Sequence, residues 1–366
     1  MAHGRPRTDS RQAMRPTPLH KRLLFAAVPA LVLLVGAELL ARLFWDPLPP
    51  APENGQVMGA HPTRGWGLEG GRRASAGAGF RTDHRGLRRV DPTGAPLRAI
   101  TTGDSSIFGH GLEDADTLHA SLRDAFAHNS LHVDVFTIGV PGYTLPQSRT
   151  TLDEVGWDLR PNLLIVGNLW SDNDFAEATD PHRGPPSNAA LWVDYLSRQS
   201  ALAGWLAQLS AGFELPVVGW IQGDAPGGTR RVPLPHYIEH LDGLLTDATQ
   251  RGVSMVVLTP CNRDLAGNTA PPPRGWPWAP YFEAVRRWTL HRGVPRIDGC
   301  TVALKQGLSG DPAFLDDMHP TGALNRAYAG AIVETVTLAG WPRTPWSPHL
   351  TAAPLPGPWD DPWHVD

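Results

Sequence analysis

Residues 97–111 read LRAITTGDSSIFGHG, that is Leu97-Arg-Ala-Ile-Thr-Thr102 followed by Gly103-Asp104-Ser105-Ser106-Ile107-Phe108-Gly109-His110-Gly111. The first six residues predict a short strand, and the Gly-Asp-Ser-Ser that follows predicts a tight turn into a helix. Working outward, apolar runs of the same kind occur at Val133–Val140, Leu163–Leu169, Val253–Thr259 and Val294–Ile297. Helix-like stretches such as Thr117–His128 and Pro235–Arg251 separate them, and a helix over Thr321–Ala339 closes the region. Alternation of this kind predicts an α/β domain with a parallel sheet and helices on both faces. One further apolar run, Pro216–Gln222, lies in a longer insertion and has no assigned pairing.

In an open parallel sheet, ligands bind outside the carboxyl ends of the strands, so catalytic groups are sought just after each strand. Those segments are Gly103–Ser106, Gly139-Val140-Pro141-Gly142-Tyr143, Asn168 with Ser171-Asp172-Asn173-Asp174, and Asp316-Asp317-Met318-His319-Pro320 before the last helix. Together they supply the parts of acyl transfer through a covalent intermediate: a nucleophile, a base, an orienting acid and oxyanion donors. Ser105 is the candidate nucleophile and His319 its general base. Asp316, three residues before His319, is the candidate that holds the imidazole in the required tautomer, with Asp317 as the alternative. The backbone N–H groups of Ser105 and Gly142 and the side-chain amide of Asn173 are the candidate oxyanion donors. Because the base must be neutral to act, activity is expected to decline as pH drops through the titration of histidine.

On these residues the chain resembles the SGNH or GDSL-like serine hydrolases, whose four blocks occur in the order Ser, Gly, Asn, His. Ile100–Gly111 is similar to the first block, Ile138–Thr144 (IGVPGYT) to the second, and Asp316–His319 to the family's Asp-x-x-His. The third block departs from the family's Gly-x-Asn-Asp: here Gly167-Asn168-Leu169-Trp170-Ser171-Asp172-Asn173-Asp174 is longer, and Asn173 is preferred to Asn168 because it keeps the Asn-Asp pair. The resemblance spans residues 97–340 and implies a flavodoxin-like three-layer α/β/α sandwich. It also implies a serine esterase working through a Ser105 acyl-enzyme on short acyl esters, O-acetyl groups of an envelope glycan among them, with no cofactor. Hydrolases and O-acyltransferases share these blocks, and a glycan-binding module that kept the fold is a non-enzymatic alternative.

Other motifs weigh less. The Gly-x-Ser-x-Gly elbow of the α/β-hydrolases is absent around Ser105. His236-Tyr237-Ile238-Glu239-His240 has the spacing of inverted zinc proteases, but no third ligand is evident nearby and a polar helix start accounts for it, so no metal is assigned. Trp276 and Trp278, in the proline-rich stretch 270–280, and Trp170 beside Asn173 are candidate substrate-binding residues, although ordinary packing is the preferred account of them.

The remaining segments place the domain. Residues 1–22 carry Arg5, Arg7, Arg11, Arg15, Lys21 and Arg22 against Asp9, a basic cytoplasmic tail. Residues 23–45 are almost wholly apolar, with Glu38 and Arg42 at i,i+4 spacing that lets them pair. The positive N-terminal flank keeps that end inside, so the chain beyond residue 45 is expected on the periplasmic or extracellular side, as in a membrane-anchored bacterial-type member of the family. Val35-Gly36-Ala37 also looks like a signal cleavage site; a retained anchor is preferred because the apolar pattern continues to Trp45. Residues 46–96 read as linker and lead-in, and 341–366, with seven prolines and four tryptophans, as a tail. Net charge is −4, with no basic cluster beyond the start, so nucleic acid is not an expected partner. Cys261 and Cys300 either pair under oxidising conditions or pack as two small apolar residues.

Overall fold

The structure is a computed structural model and describes residues 19–44, 58–71, 79–176, 179–180, 187–209, 228–266, 278–343 and 348. Residues 1–18 of the basic tail, the run Pro216–Gln222, Trp276 and nearly all of the C-terminal tail lie outside the described residues, while Leu19–Arg22 open the first helix. Two compact units are distinguished: Met1–Pro49 with Leu196–Phe213, and Pro50–Tyr195 with Glu214–Asp366.

In the first unit, α1 (Leu19–Phe44) contains a 20-residue stretch, Phe25–Phe44, of mean hydropathy 2.0, none of it buried, which is long and apolar enough to cross a membrane. The Glu38–Arg42 pair forms at 2.7 Å. Glu38 also accepts from the Ser200 hydroxyl at 2.7 Å and from the N–H groups of Ala201 and Leu202 at 3.1 Å, capping the helix Ala201–Leu209. Arg42 donates to the carbonyl of Gln199 at 3.1 Å.

The second unit begins with an antiparallel hairpin, β1 (Met58–His61) and β2 (Gly65–Leu68). Its body then runs β3 (Leu97–Thr102), α2 (Ser105–Phe108), α3 (Leu118–His128), β4 (Val133–Thr137), α4 (Leu145–Thr151), β5 (Leu163–Val166) and α5 (Trp170–Asn173). After β6 (Phe175–Ala176) an insertion returns as β7 (Thr229–Arg230). The chain finishes with α6 (Leu234–Gln250), β8 (Ser254–Thr259), α7 (Ala279–Arg292), β9 (Arg296–Asp298), α8 (Gly299–Lys305) and α9 (Gly322–Leu338).

The five sheet strands lie in the order β4-β3-β5-β8-β9, all parallel. Counted among themselves this is 2-1-3-4-5, the flavodoxin-like order, with its switch point between β3 and β5. Helices α3, α8 and α9 cover one face and α4, α6 and α7 the other, giving a three-layer α/β/α sandwich. Burial on both faces is why the strands read as unbroken apolar runs: Leu163, Leu164, Ile165 and Val166 are all wholly buried. The predicted strands at Val133–Val140 and Leu163–Leu169 stop earlier, at Thr137 and Val166, because their last apolar residues leave the ladder for the loops at the switch point.

Two features were not legible as elements. The β1–β2 hairpin falls within the stretch read as linker; its Gly-rich strands are too short for a periodic signal. Met58, Trp66 and Leu68 nonetheless join Phe80, Phe108, Val140 and Tyr143 in a second apolar cluster beneath the loops after β3 and β4. The cysteines do pair, and the Cys261–Cys300 disulfide ties the loop after β8 to the first turn of α8.

Asp134, buried on β4, anchors the approach to β3. It accepts from the N–H and hydroxyl of Thr93 at 2.7 and 2.8 Å and from the N–H groups of Gly94 and Ala95 at 3.1 Å. Burial pushes this carboxyl up, but the four donors outweigh it and hold its pKa below the ordinary aspartate value. Asp134→Ala is expected to cost about 2–3 kcal/mol in urea unfolding at neutral pH. Because the folded-state pKa is the lower one, this contribution is present above the unfolded-state value and is lost as pH falls through the folded-state value. Wild type and variant should therefore converge in acid; a constant difference down to pH 2 would contradict the account.

Candidate active site

Ser105 opens α2 directly after β3, and Asp104 caps that short helix by accepting the N–H of Ser106 at 3.0 Å. The other Asp104 oxygen accepts the N–H groups of Trp170 and Ser171 at 3.2 and 3.4 Å, so one carboxylate joins the turns after β3 and β5 across the switch point. Its burial pushes its pKa up, partly offset by these donors and by the charge of His319. Gly103 is required here: a Cβ would lie 2.4 Å from Ile107 Cγ1 and 3.2 Å from the Gly167 backbone.

The turn before α9 brings the partners of Ser105. Its ends are tied where Leu315 donates to the His319 carbonyl at 2.8 Å and Phe314 bridges to Pro320. Inside the turn, one oxygen of Asp316 accepts the N–H groups of Met318 and His319 at 2.9 and 2.8 Å. Its other oxygen lies 2.5 Å from His319 Nδ1, and His319 Nε2 lies 2.8 Å from Ser105 Oγ. Burial raises the Asp316 carboxyl, but the Met318 N–H, the His319 ring and the His319 N–H together hold it below the ordinary value. His110, from the segment that carries Ser105, lays its ring against His319 with centroids 4.6 Å apart and planes at 35°.

The candidate oxyanion donors come from the loops after β4 and β5. Val140-Pro141-Gly142-Tyr143 has the marks of a type II turn: proline second, glycine third at φ +77°, and the Val140 carbonyl accepting the Tyr143 N–H at 3.0 Å. Asn173 ends α5 and donates through its side-chain amide to the Leu169 carbonyl at 2.8 Å, which orients the group and engages one of its two N–H bonds. Asn168 is engaged elsewhere: its side-chain amide donates to Ser148 Oγ at 3.0 Å and its backbone carbonyl accepts the Tyr237 hydroxyl at 2.7 Å. Trp170 and Trp278 are both buried and meet edge to face at 6.0 Å, with Phe282 against each. Among the described residues, no group of three or more His, Cys, Asp or Glu side chains is placed to hold a metal ion.

Residues around the site that carry no sequence signal are mostly arginines. Arg88 is wholly buried and donates to the carbonyls of Phe108, Gly109 and Leu112 at 2.7–3.0 Å, bracing the end of α2. Arg263, in the loop after β8, donates to the carbonyls of Phe314 and Asp316 at 3.0 and 2.9 Å and braces the histidine turn. Arg230 and Arg231, both buried, donate to the carbonyls of Asn173 and Gly142 at 2.5 and 2.8 Å.

Fold and geometry together define an α/β protein of flavodoxin-like order with a Ser-His-Asp hydrogen-bonded chain at its switch-point edge. No protein-family model matches the sequence, and no curated protein matches it. Solved structures similar to it include an acetylxylan esterase from Geobacillus stearothermophilus, at 15% identity, TM-score 0.43, covering 67% of this chain and 96% of that one. An alpha/beta hydrolase from the metagenome of Lake Arreo, Spain, is similar at 17% identity, TM-score 0.44, covering 66% of this chain and 96% of that one.

Proposed function

We propose that this chain is a serine esterase that cleaves short acyl esters through an acyl-enzyme on Ser105. The observation that carries the reading is the imidazole of His319, hydrogen-bonded at once to Ser105 Oγ at 2.8 Å and to the Asp316 carboxylate at 2.5 Å. In the first half-reaction His319 Nε2 takes the proton of Ser105 as Oγ adds to the ester carbonyl, and Asp316 stabilises the imidazolium that forms. The Ser105 and Gly142 N–H groups and the free N–H of the Asn173 amide receive the charge that develops on the carbonyl oxygen. His319 then returns the proton to the departing alcohol. In the second half-reaction it activates a water that releases the acid and frees Ser105.

The enzyme is further proposed to be held in the membrane by α1 with the second unit on the outer side. The apolar length of α1, the basic residues before it and a disulfide in the second unit support this reading, since such bonds persist in oxidising compartments. O-acetyl groups on an envelope glycan are the proposed natural esters.

The test is a fluorophosphonate probe on the full-length chain in detergent, with the modified peptide located by mass spectrometry, beside a panel of acetyl to octanoyl esters. One phosphonyl adduct at Ser105 and hydrolysis favouring the shortest acyl groups are expected. Labelling that Ser105→Ala leaves undiminished would remove the basis of the proposal.

A further inference from the structure

The oxyanion donor in the second block is one peptide N–H, and its direction depends on a single peptide plane. In a peptide the N–H and C=O point in opposite directions, so whatever holds the Pro141 carbonyl aims the Gly142 N–H the other way. That carbonyl accepts the indole N–H of Trp66 at 3.1 Å. Trp66 belongs to the β2 strand of the lead-in hairpin and is only 1% exposed. The next peptide is held as well, since Arg231 donates to the Gly142 carbonyl at 2.8 Å.

The two side chains form one clasp. The Arg231 guanidinium sits 5.5 Å from the Trp66 ring, within cation–π range. Its charge is met by Asp180 through two contacts of 3.0 Å, and Asp180 in turn accepts the hydroxyl of Thr144, the residue after the turn. From below, the Tyr143 hydroxyl donates to the Trp66 carbonyl at 2.5 Å. A β-turn of this sequence has a competing form in which the central peptide flips by roughly half a turn, sending the Gly142 N–H away from the site. Breaking the bond from Trp66 to Pro141 and leaving a buried carbonyl without its donor would oppose that flip.

We infer that Trp66 and Arg231 are positioning residues for catalysis: they lock the Val140–Tyr143 turn in the form that aims the Gly142 N–H at the developing oxyanion. This rests on the Ser105 acyl-enzyme reading. Arg231 arrives on the strand by which the insertion returns, and Trp66 on the hairpin before the sheet. The clasp thus gives two segments outside the five-stranded sheet a part in the chemistry.

Trp66→Phe keeps an aromatic ring in the cluster and removes the donor. Arg231→Lys keeps a charge for Asp180 but lacks the guanidinium fork that also reaches Gly142. In the full-length protein each is expected to lower kcat about 10–100-fold, short of the 10²–10³ for losing a whole oxyanion donor, with KM within about threefold of wild type. A boronic acid forms a tetrahedral adduct on Ser105 with an oxygen where the oxyanion sits, so its affinity should fall by the same factor. A folded Trp66→Phe protein with kcat within twofold of wild type overturns the inference; should that variant fail to fold, Arg231→Lys is held to the same criterion. Activity lost only in proportion to the unfolded fraction, with boronate affinity of the folded fraction unchanged, overturns it too. Ser105→Ala separates the two levels. If that variant keeps a tenth or more of the wild-type kcat the catalytic reading itself has failed, whereas a Ser105→Ala protein reduced to its residual rate beside a fully active Trp66→Phe sinks only the clasp.

Discussion

Ser105→Ala is expected to reduce kcat by about 10⁶ on every ester the wild type hydrolyses, the order found when the serine nucleophile is deleted from an intact triad. What should remain is a rate some 10³-fold above water, because the oxyanion donors and the substrate contacts survive the change. The fold should survive with them. The Ser105 hydroxyl bonds to His319 at the open edge of the sheet, while the caps and ties of that turn are made by Asp104 and by backbone groups. Stability should therefore move by less than about 1 kcal/mol, as for substitutions that open no cavity and strand no buried polar group. Steady-state kinetics with a thermal melt on the same preparation check both halves. A folded variant that keeps a tenth of the wild-type kcat would show that Ser105 is not the nucleophile.

How legible this site was depended on the kind of interaction involved. The sheet was readable because β4, β5 and β8 are buried along their whole length and so appear as largely apolar runs, and its carboxyl ends pointed to the segments carrying Ser105, Gly142, Asn173 and His319. Asp316 was readable because a carboxylate three residues before the histidine can close a turn on itself, and it does so through the N–H groups of Met318 and His319. The residues that hold those segments in place were not readable. Trp66, Arg88, Arg230, Arg231 and Arg263 act on main-chain carbonyls that belong to every residue alike, so no partner motif marks them. Arginine is also usually solvated, and nothing local tells Arg231, 1% exposed, from Arg123 on the surface of α3. The part played by Glu38 was half legible: its spacing from Arg42 predicts the ion pair, but capping Ala201 needs a segment more than 160 positions away.

Asp316→Asn is expected to lower kcat by about 10³–10⁴ while leaving the histidine turn in place, and the reason is the direction of one hydrogen bond. The amide oxygen can still accept the N–H groups of Met318 and His319, which now bind one carboxylate oxygen at 2.9 and 2.8 Å, so the turn should keep its shape. The amide NH₂ then faces His319 Nδ1 where a carboxylate oxygen stood at 2.5 Å. It can only donate, so the ring must accept there and carry its proton on Nε2, the nitrogen that has to take the proton of Ser105. In the wild type the Asp316 carboxyl, raised by burial, is held below the ordinary aspartate value by the Met318 N–H, the His319 ring and the His319 N–H. The acid limb of its pH–rate profile should therefore report protonation of the base alone, falling with a single slope and without a second step where ordinary aspartates titrate. Asp317→Asn serves as the comparison, with kcat expected within about threefold of wild type. If Asp317→Asn instead costs the larger factor, the orienting role passes to Asp317; if neither change costs more than tenfold, His319 acts without a carboxylate partner and the three-residue chain is not the catalytic unit.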